Sequence, residues 1–173
     1  MKSALLSGGD QRTFALVFDT GDEVMAGLLG FARQHGLSAS HFTAIGALRE
    51  VTLGYYEWEH KAYRRIPIRE QVEVLALVGD IVLDADDPKV HAHAVVGKSD
   101  GSAHGGHLFE AWVRPTLEVV LVESPRHLRR RLDPDTGLAL IDLDATAAAA
   151  PHVRRPRTSA APRFTRAGAR KAG

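Results

Sequence analysis

Only one stretch of this chain carries apolar residues at helical spacing. Val24, Leu28, Phe31 and Ala32 recur every three or four residues, so residues 21–35 are predicted to form a helix with a single core face. Asp19 or Thr20 is placed to cap it, Asp22 and Glu23 sit in its first turn, and Gly36 supplies the stop. Nearly everything else reads as strand. Phe14, Leu16 and Phe18 alternate within Arg12–Phe18. Ala39–Leu48 and Glu50–Trp58 are β-rich and meet near Gly46, and Gln71–Leu83 is a long strand with a bend expected at Gly79. Lys89–Lys98 runs into a turn at Ser99–Asp100–Gly101, with Gly106–Val113 as its hairpin partner. Leu117–Glu123 is almost continuously apolar and is expected to be central and covered on both faces. A short helical turn over Arg126–Arg131 and a last strand at Leu138–Leu143 complete the pattern. One helix with many strands implies an α+β domain built on a mostly antiparallel sheet, with the helix packed on it.

Charge divides the 173 residues in two. Residues 145–173 hold seven basic side chains (Arg154, Arg155, Arg157, Arg163, Arg166, Arg170 and Lys171) and no acidic one. The other 144 residues keep fifteen basic and twenty-one acidic groups, a net charge of −6. Val153 and Phe164 are the only large apolar residues of the basic part, too few to offset the entropy of ordering it. The expected organisation is one domain over residues 1–144 and a disordered Ala/Pro/Arg-rich tail over 145–173.

Several function classes drop out. The absence of cysteine removes disulfides, thiolate metal sites and a cysteine nucleophile. No apolar run approaches the roughly 18 residues of a membrane span. Met1–Asp10 lacks a basic start followed by an apolar core, so no signal peptide is expected and the expected compartment is the cytoplasm.

Three of the nine histidines form a spaced set, His91-Ala92-His93 and Gly105-Gly106-His107. On a strand, His91 and His93 point to one face with Cα atoms roughly 6.5 Å apart. A hairpin through Ser99–Gly101 would return His107 beside them, and the two glycines allow close approach of a neighbouring chain. Three imidazoles and a water suit zinc or a similar divalent ion with one open position. Spacing alone also allows, and more readily, two ordinary histidines on a half-buried face and a hairpin that ends in glycine. His35, His41, His60, His127 and His152 have no such company and are expected to be solvated, while His104 lies only three residues before His107.

The segments Ala44-Ile45-Gly46-Ala47-Leu48, Val51-Thr52-Leu53-Gly54-Tyr55-Tyr56, His91-x-His93 and Gly105-Gly106-His107-Leu108 stand in an order that resembles the PPC domain, the plant and prokaryote conserved domain. The resemblance covers about residues 10–144. It implies an α+β fold with a mostly antiparallel sheet, a homotrimer, and metal binding through His91, His93 and His107, with zinc the expected ion. It also implies DNA association. Plant members share a Gly-Arg-Phe-Glu-Ile-Leu segment tied to partner binding. Here the aligned residues 70–75 keep only Glu73 and Leu75, with Val74 as a conservative change, so that partner function is not expected to carry over.

Two functions follow. In the first, DNA is held by the arginine-rich tail, where Arg155-Pro156-Arg157 resembles an AT-hook without its Gly-Arg-Pro core. In the second, the histidine site serves a metal-dependent enzyme or small-ligand binder, with Glu110 or Asp100 close in sequence as general base. No nucleophile motif, phosphate loop or substrate signature accompanies it, so a binding protein ranks above an enzyme.

Overall fold

Long alternating strands dominate the chain. The computed structural model describes residues 1–9, 11–124 and 127–148. Its elements are β1 (Lys2–Ser7), β2 (Thr13–Asp19), α1 (Val24–His35), β3 (Ala39–Glu57), β4 (Ala62–Ile68), β5 (Val72–Asp84), β6 (Asp87–Gly97), β7 (Ala103–Glu123), β8 (Arg129–Leu132), β9 (Ala139–Ile141) and α2 (Leu143–Ala148). One sheet runs in the order β1-β2-β7-β3-β5-β8-β9, with β4 beside β3. β6 pairs with both β5 and β7, so the pairings β3–β5–β6–β7–β3 form a closed circuit. Every pairing is antiparallel except β5 with β8. This is the expected α+β class.

The core lies where alternation puts one side of each strand inward. Leu53, Val74, Leu77, Ala94, Val96 and Leu108 share a buried cluster with Phe14, Leu16, Phe18 and the predicted helix face Val24, Leu28, Phe31 and Ala32. α1 begins later than expected. Thr20 Oγ1 donates instead to the Pro115 carbonyl, and Asp22 accepts from the Asp19 amide. Glu23 caps the helix: one carboxylate oxygen accepts from Ala26 N at 2.6 Å and the other from Ala111 N at 3.1 Å, which ties the helix start to β7. Gly36 closes the helix in the left-handed conformation, as expected.

Several boundaries moved. The two strands expected to meet near Gly46 are one, β3, with irregular register around that residue. A Cβ at Gly46 would lie 2.3 Å from the Thr116 carbonyl oxygen, so only glycine lets β7 pass so close. Gly79 stays in register opposite Ala92, and β5 shifts instead between Val74 and Ala76. The segments expected as Gly106–Val113 and Leu117–Glu123 are likewise one strand, β7. Within one chain its end is covered on one face: Leu117, Val119 and Leu121 are buried, whereas Val120 is 48% exposed. Of the helical turn expected at 126–131, residues 129–131 belong instead to strand β8, which continues the sheet beside Leu83 and Asp84, and residue 126 lies outside the described residues.

β1 and β4 carried too little pattern to be predicted. All six β1 residues are exposed, and β4 holds two arginines and Pro67 on a strand paired only with β3. The expected domain boundary at 144 falls inside α2, so residues 145–148 are helical, and 149–173 lie outside the described residues. No helix among the described residues is long and apolar enough to cross a membrane.

Candidate metal centre

β6 buries Ala92 and Ala94 and so turns His91 and His93 to the opposite, outer face. The turn that brings β7 back is built by Asp100, whose carboxylate accepts from the amide and the hydroxyl of Ser102 at 2.9 and 2.6 Å. These bonds hold the Asp100 carboxyl below the usual carboxylate range. Its carboxylate is engaged in the turn, away from the general-base role. The hairpin sets His107 directly opposite His93. A Cβ at Gly106 would lie 2.5 Å from the Gly54 carbonyl oxygen, so glycine is required where β3 presses against the start of β7.

The three rings converge. Their centroids are 5.1 Å apart for His91–His93, 5.1 Å for His91–His107 and 5.4 Å for His93–His107. One ring nitrogen of each lies within 4.8 Å of the other two, and the Nε2 atoms of His91 and His93 are 3.3 Å apart. Tyr63 and Phe109 wall the cluster, with centroids 4.7 and 4.9 Å from the His107 ring. Burial raises the Tyr63 hydroxyl pKa, and Tyr56 adds to the effect.

The donor set fits a borderline divalent cation. Imidazole nitrogen is its preferred neutral ligand, and His107 Nδ1 is buried with no hydrogen-bond partner. Burial, reinforced by the neighbouring His91 and His93, pushes the His107 pKa down to about 4. His91 is shifted down as well, first by burial and then by the Arg130 cation, with Asp80 opposing. Neutral imidazoles at neutral pH leave their lone pairs available to a metal.

A pH dependence follows for the metal-free protein. Between pH 6.5 and 4 the unfolded chain protonates His107 while the folded chain does not, so the unfolded state binds more protons and stability falls as pH falls through that window. Urea unfolding of chelator-treated protein at pH 7, 6 and 5 should show this loss, and His107→Gln should reduce it. An unchanged slope in the variant would contradict the assignment.

The other candidates separate from the cluster. Glu110 is exposed and pairs with Arg65 at 3.5 Å, and His104 lies opposite Val96. His41 is exposed, and His60 is exposed beside Glu57 at 3.4 Å. Two histidines expected to be solvated are half-buried: His35 stacks on Phe31 at 4.1 Å, and His127 Nδ1 lies 2.9 Å from Ser38 Oγ. His152 and the seven basic residues from Arg154 to Lys171 lie outside the described residues. Sequence reading missed Asp80, which faces His91 across the β5–β6 ladder, and its ion-pair partner Arg130. No sequence spacing links them, because β8 reaches β5 only through the tertiary fold.

Residues 5–125 match the family model of the Plants and Prokaryotes Conserved (PCC) domain. The chain is similar to a plant- and prokaryote-conserved (PPC) protein of Pyrococcus horikoshii, with 31% identity over 76% of this chain and 91% of that one and a TM-score of 0.72. A metal-containing protein of Archaeoglobus fulgidus shares 35% identity over 82% of this chain and 99% of its own, with a TM-score of 0.71. A candidate DNA-binding protein of Bacteroides thetaiotaomicron shares 29% identity over 82% and 98%, with a TM-score of 0.75. None of the curated proteins matches the chain.

Proposed function

The chain belongs to the Plants and Prokaryotes Conserved domain family, and on that premise we propose that it is a trimeric, DNA-associated cytoplasmic protein with a metal site at His91, His93 and His107. The observation that carries the metal assignment is the convergence of the three imidazoles, one ring nitrogen of each within 4.8 Å of the other two, with His107 Nδ1 buried and without a hydrogen-bond partner. Zinc suits these ligands best. Bound there, it would offer one open position that can polarise a ligand or activate water. Of the two carboxylates close in sequence, Asp100 is engaged in a turn and Glu110 is exposed beside Arg65 at 3.5 Å. Ligand binding therefore ranks above hydrolysis. Elemental analysis of gently purified protein tests the metal, with stoichiometric zinc expected and none found counting against the reading.

Trimer formation is supported by the outer sheet face. Ile45, Leu75, Val78, Val95 and Val120 are each more than two-fifths exposed, an apolar surface of the kind that marks an interface. Light scattering should give about three times the 18.8 kDa chain mass, and the monomer mass would remove the claim.

DNA association is proposed for Arg154, Arg155, Arg157, Arg163, Arg166, Arg170 and Lys171, where positive charge clusters without carboxylates. The rest of the chain, at −6, repels a duplex. Three tails on one trimer would bind multivalently. Seven phosphate contacts per tail set a limiting salt slope of about −6 in log K against log salt for each engaged chain. Truncation after Ala148, which spares α2, should abolish binding to duplex DNA in a salt series. Equal affinity of the full-length and truncated proteins would show that the acidic domain itself recognises DNA. Failure of both to bind would leave the metal-centred ligand binder as the function.

A further inference from the structure

Neither Asp80 nor Arg130 belongs to the histidine cluster, yet both stand directly behind it. Asp80 lies opposite His91 in the β5–β6 ladder, where facing side chains have Cβ atoms about 4.5–5.5 Å apart. Arg130 comes from β8, the strand that runs parallel to β5 beyond the range matched to the family. Its Nη2 donates to Asp80 Oδ1 at 2.6 Å and its Nη1 to the Ala139 carbonyl at 2.8 Å, which ties the β8–β9 ribbon to the wall of the site. The Arg130 side chain is only 8% exposed, against 29% for Asp80. Solvent screens this pair much less than it screens a surface pair.

The two charges act on His91 in opposite senses. Asp80 places a negative charge opposite His91, and Arg130 places a positive one 2.6 Å from that carboxylate, so their fields at the imidazole oppose each other. A divalent ion on the same imidazole would feel the same two fields with twice the charge. Asp80 is the group that couples the two charges to the site. Its carboxylate would attract a cation held by His91, but the guanidinium holds that carboxylate by a short charge-assisted bond.

We propose that Asp80 and Arg130 are a positioning pair that sets the cation affinity of the histidine site, Asp80 strengthening it and Arg130 restraining Asp80. The proposal rests on the metal reading of His91, His93 and His107. It assigns control of the site to β8, a segment that the sequence pattern did not connect with it. Release of β8 from β5 would free Asp80 and tighten the site, so docking of the β8–β9 ribbon and metal occupancy are coupled.

The test is a zinc titration of the full-length protein against a chelator of known affinity, with folding followed by circular dichroism. Asp80→Asn leaves an uncompensated guanidinium beside His91 and should weaken zinc binding about ten- to a hundredfold, the range typical of outer-shell partners. Arg130→Gln frees the carboxylate and should tighten binding by a similar factor. The double variant should return to near the wild-type value, and Arg130→Lys, which keeps the charge, should resemble wild type. A purely structural pair would shift both single variants in the same direction. If Arg130→Gln does not fold, Asp80→Asn and Arg130→Lys still decide, since the first must weaken binding and the second must not. Single variants that both weaken binding, or that leave it unchanged, overturn the proposal alone. Absence of zinc binding by the wild type overturns it together with the metal reading.

Discussion

Replacing His91 and His93 together with alanine should reduce bound zinc from stoichiometric to none. The physical reason is the chelate. His107 alone would hold an ion through one imidazole, with water filling the other positions, and such a site does not survive dilution. The fold should persist, because His93 is exposed, His91 is half-buried and both project from the outer face of β6, away from the buried Ala92 and Ala94. Elemental analysis with a circular dichroism control measures the effect. Unchanged metal content in a folded double variant would show that the ion, if present, sits elsewhere.

Replacing Arg12 with alanine should cost about 1–3 kcal/mol, because the largely buried Glu123 carboxylate loses two charge-assisted bonds. Arg12 and Glu123 are 12% and 7% exposed, and Arg12 engages Glu123 through both Nε and Nη2. Nη2 also donates to the His35 carbonyl at 3.1 Å, so one guanidinium joins the C-terminal end of α1 to the end of β7. Its carbon lies 5.4 Å from the centre of the Phe14 ring. A loss of that size is a large part of the roughly 5–15 kcal/mol that a domain of this size has in reserve. Urea unfolding would measure it, and a loss below about 1 kcal/mol would mean that the bonds from Arg12 contribute little to the fold. Arg12→Met combined with Glu123→Gln should recover part of the stability, because it removes both charges of the pair together.

How far the sequence was legible depended on whether a residue's role was written in its neighbours. α1 could be read because Val24, Leu28, Phe31 and Ala32 repeat at helical spacing before Gly36. Its start was misplaced by three residues, since the cap that prevails, Glu23, owes its position partly to Ala111 on β7. β4 and β1 were missed because edge strands bury little and so carry little alternation. β8 was misread as a helical turn because four successive residues with three arginines have no period of their own, and only pairing with Leu83 and Asp84 makes them a strand.

The histidine cluster falls between these cases. Period-two geometry on β6 places His91 and His93 on one face whatever the rest of the chain does, and the Ser99–Gly101 turn is local enough to return His107. Those facts, with the α+β class, were determined by the sequence by itself, because each depends on contacts between residues near one another in the chain. The burial that drives the His107 pKa down to about 4, the Tyr63 and Phe109 wall, and the Asp80–Arg130 pair were decided only by the tertiary structure. They join residues up to 50 positions apart, and the field at a site depends on what packs around it in space, which no local spacing encodes.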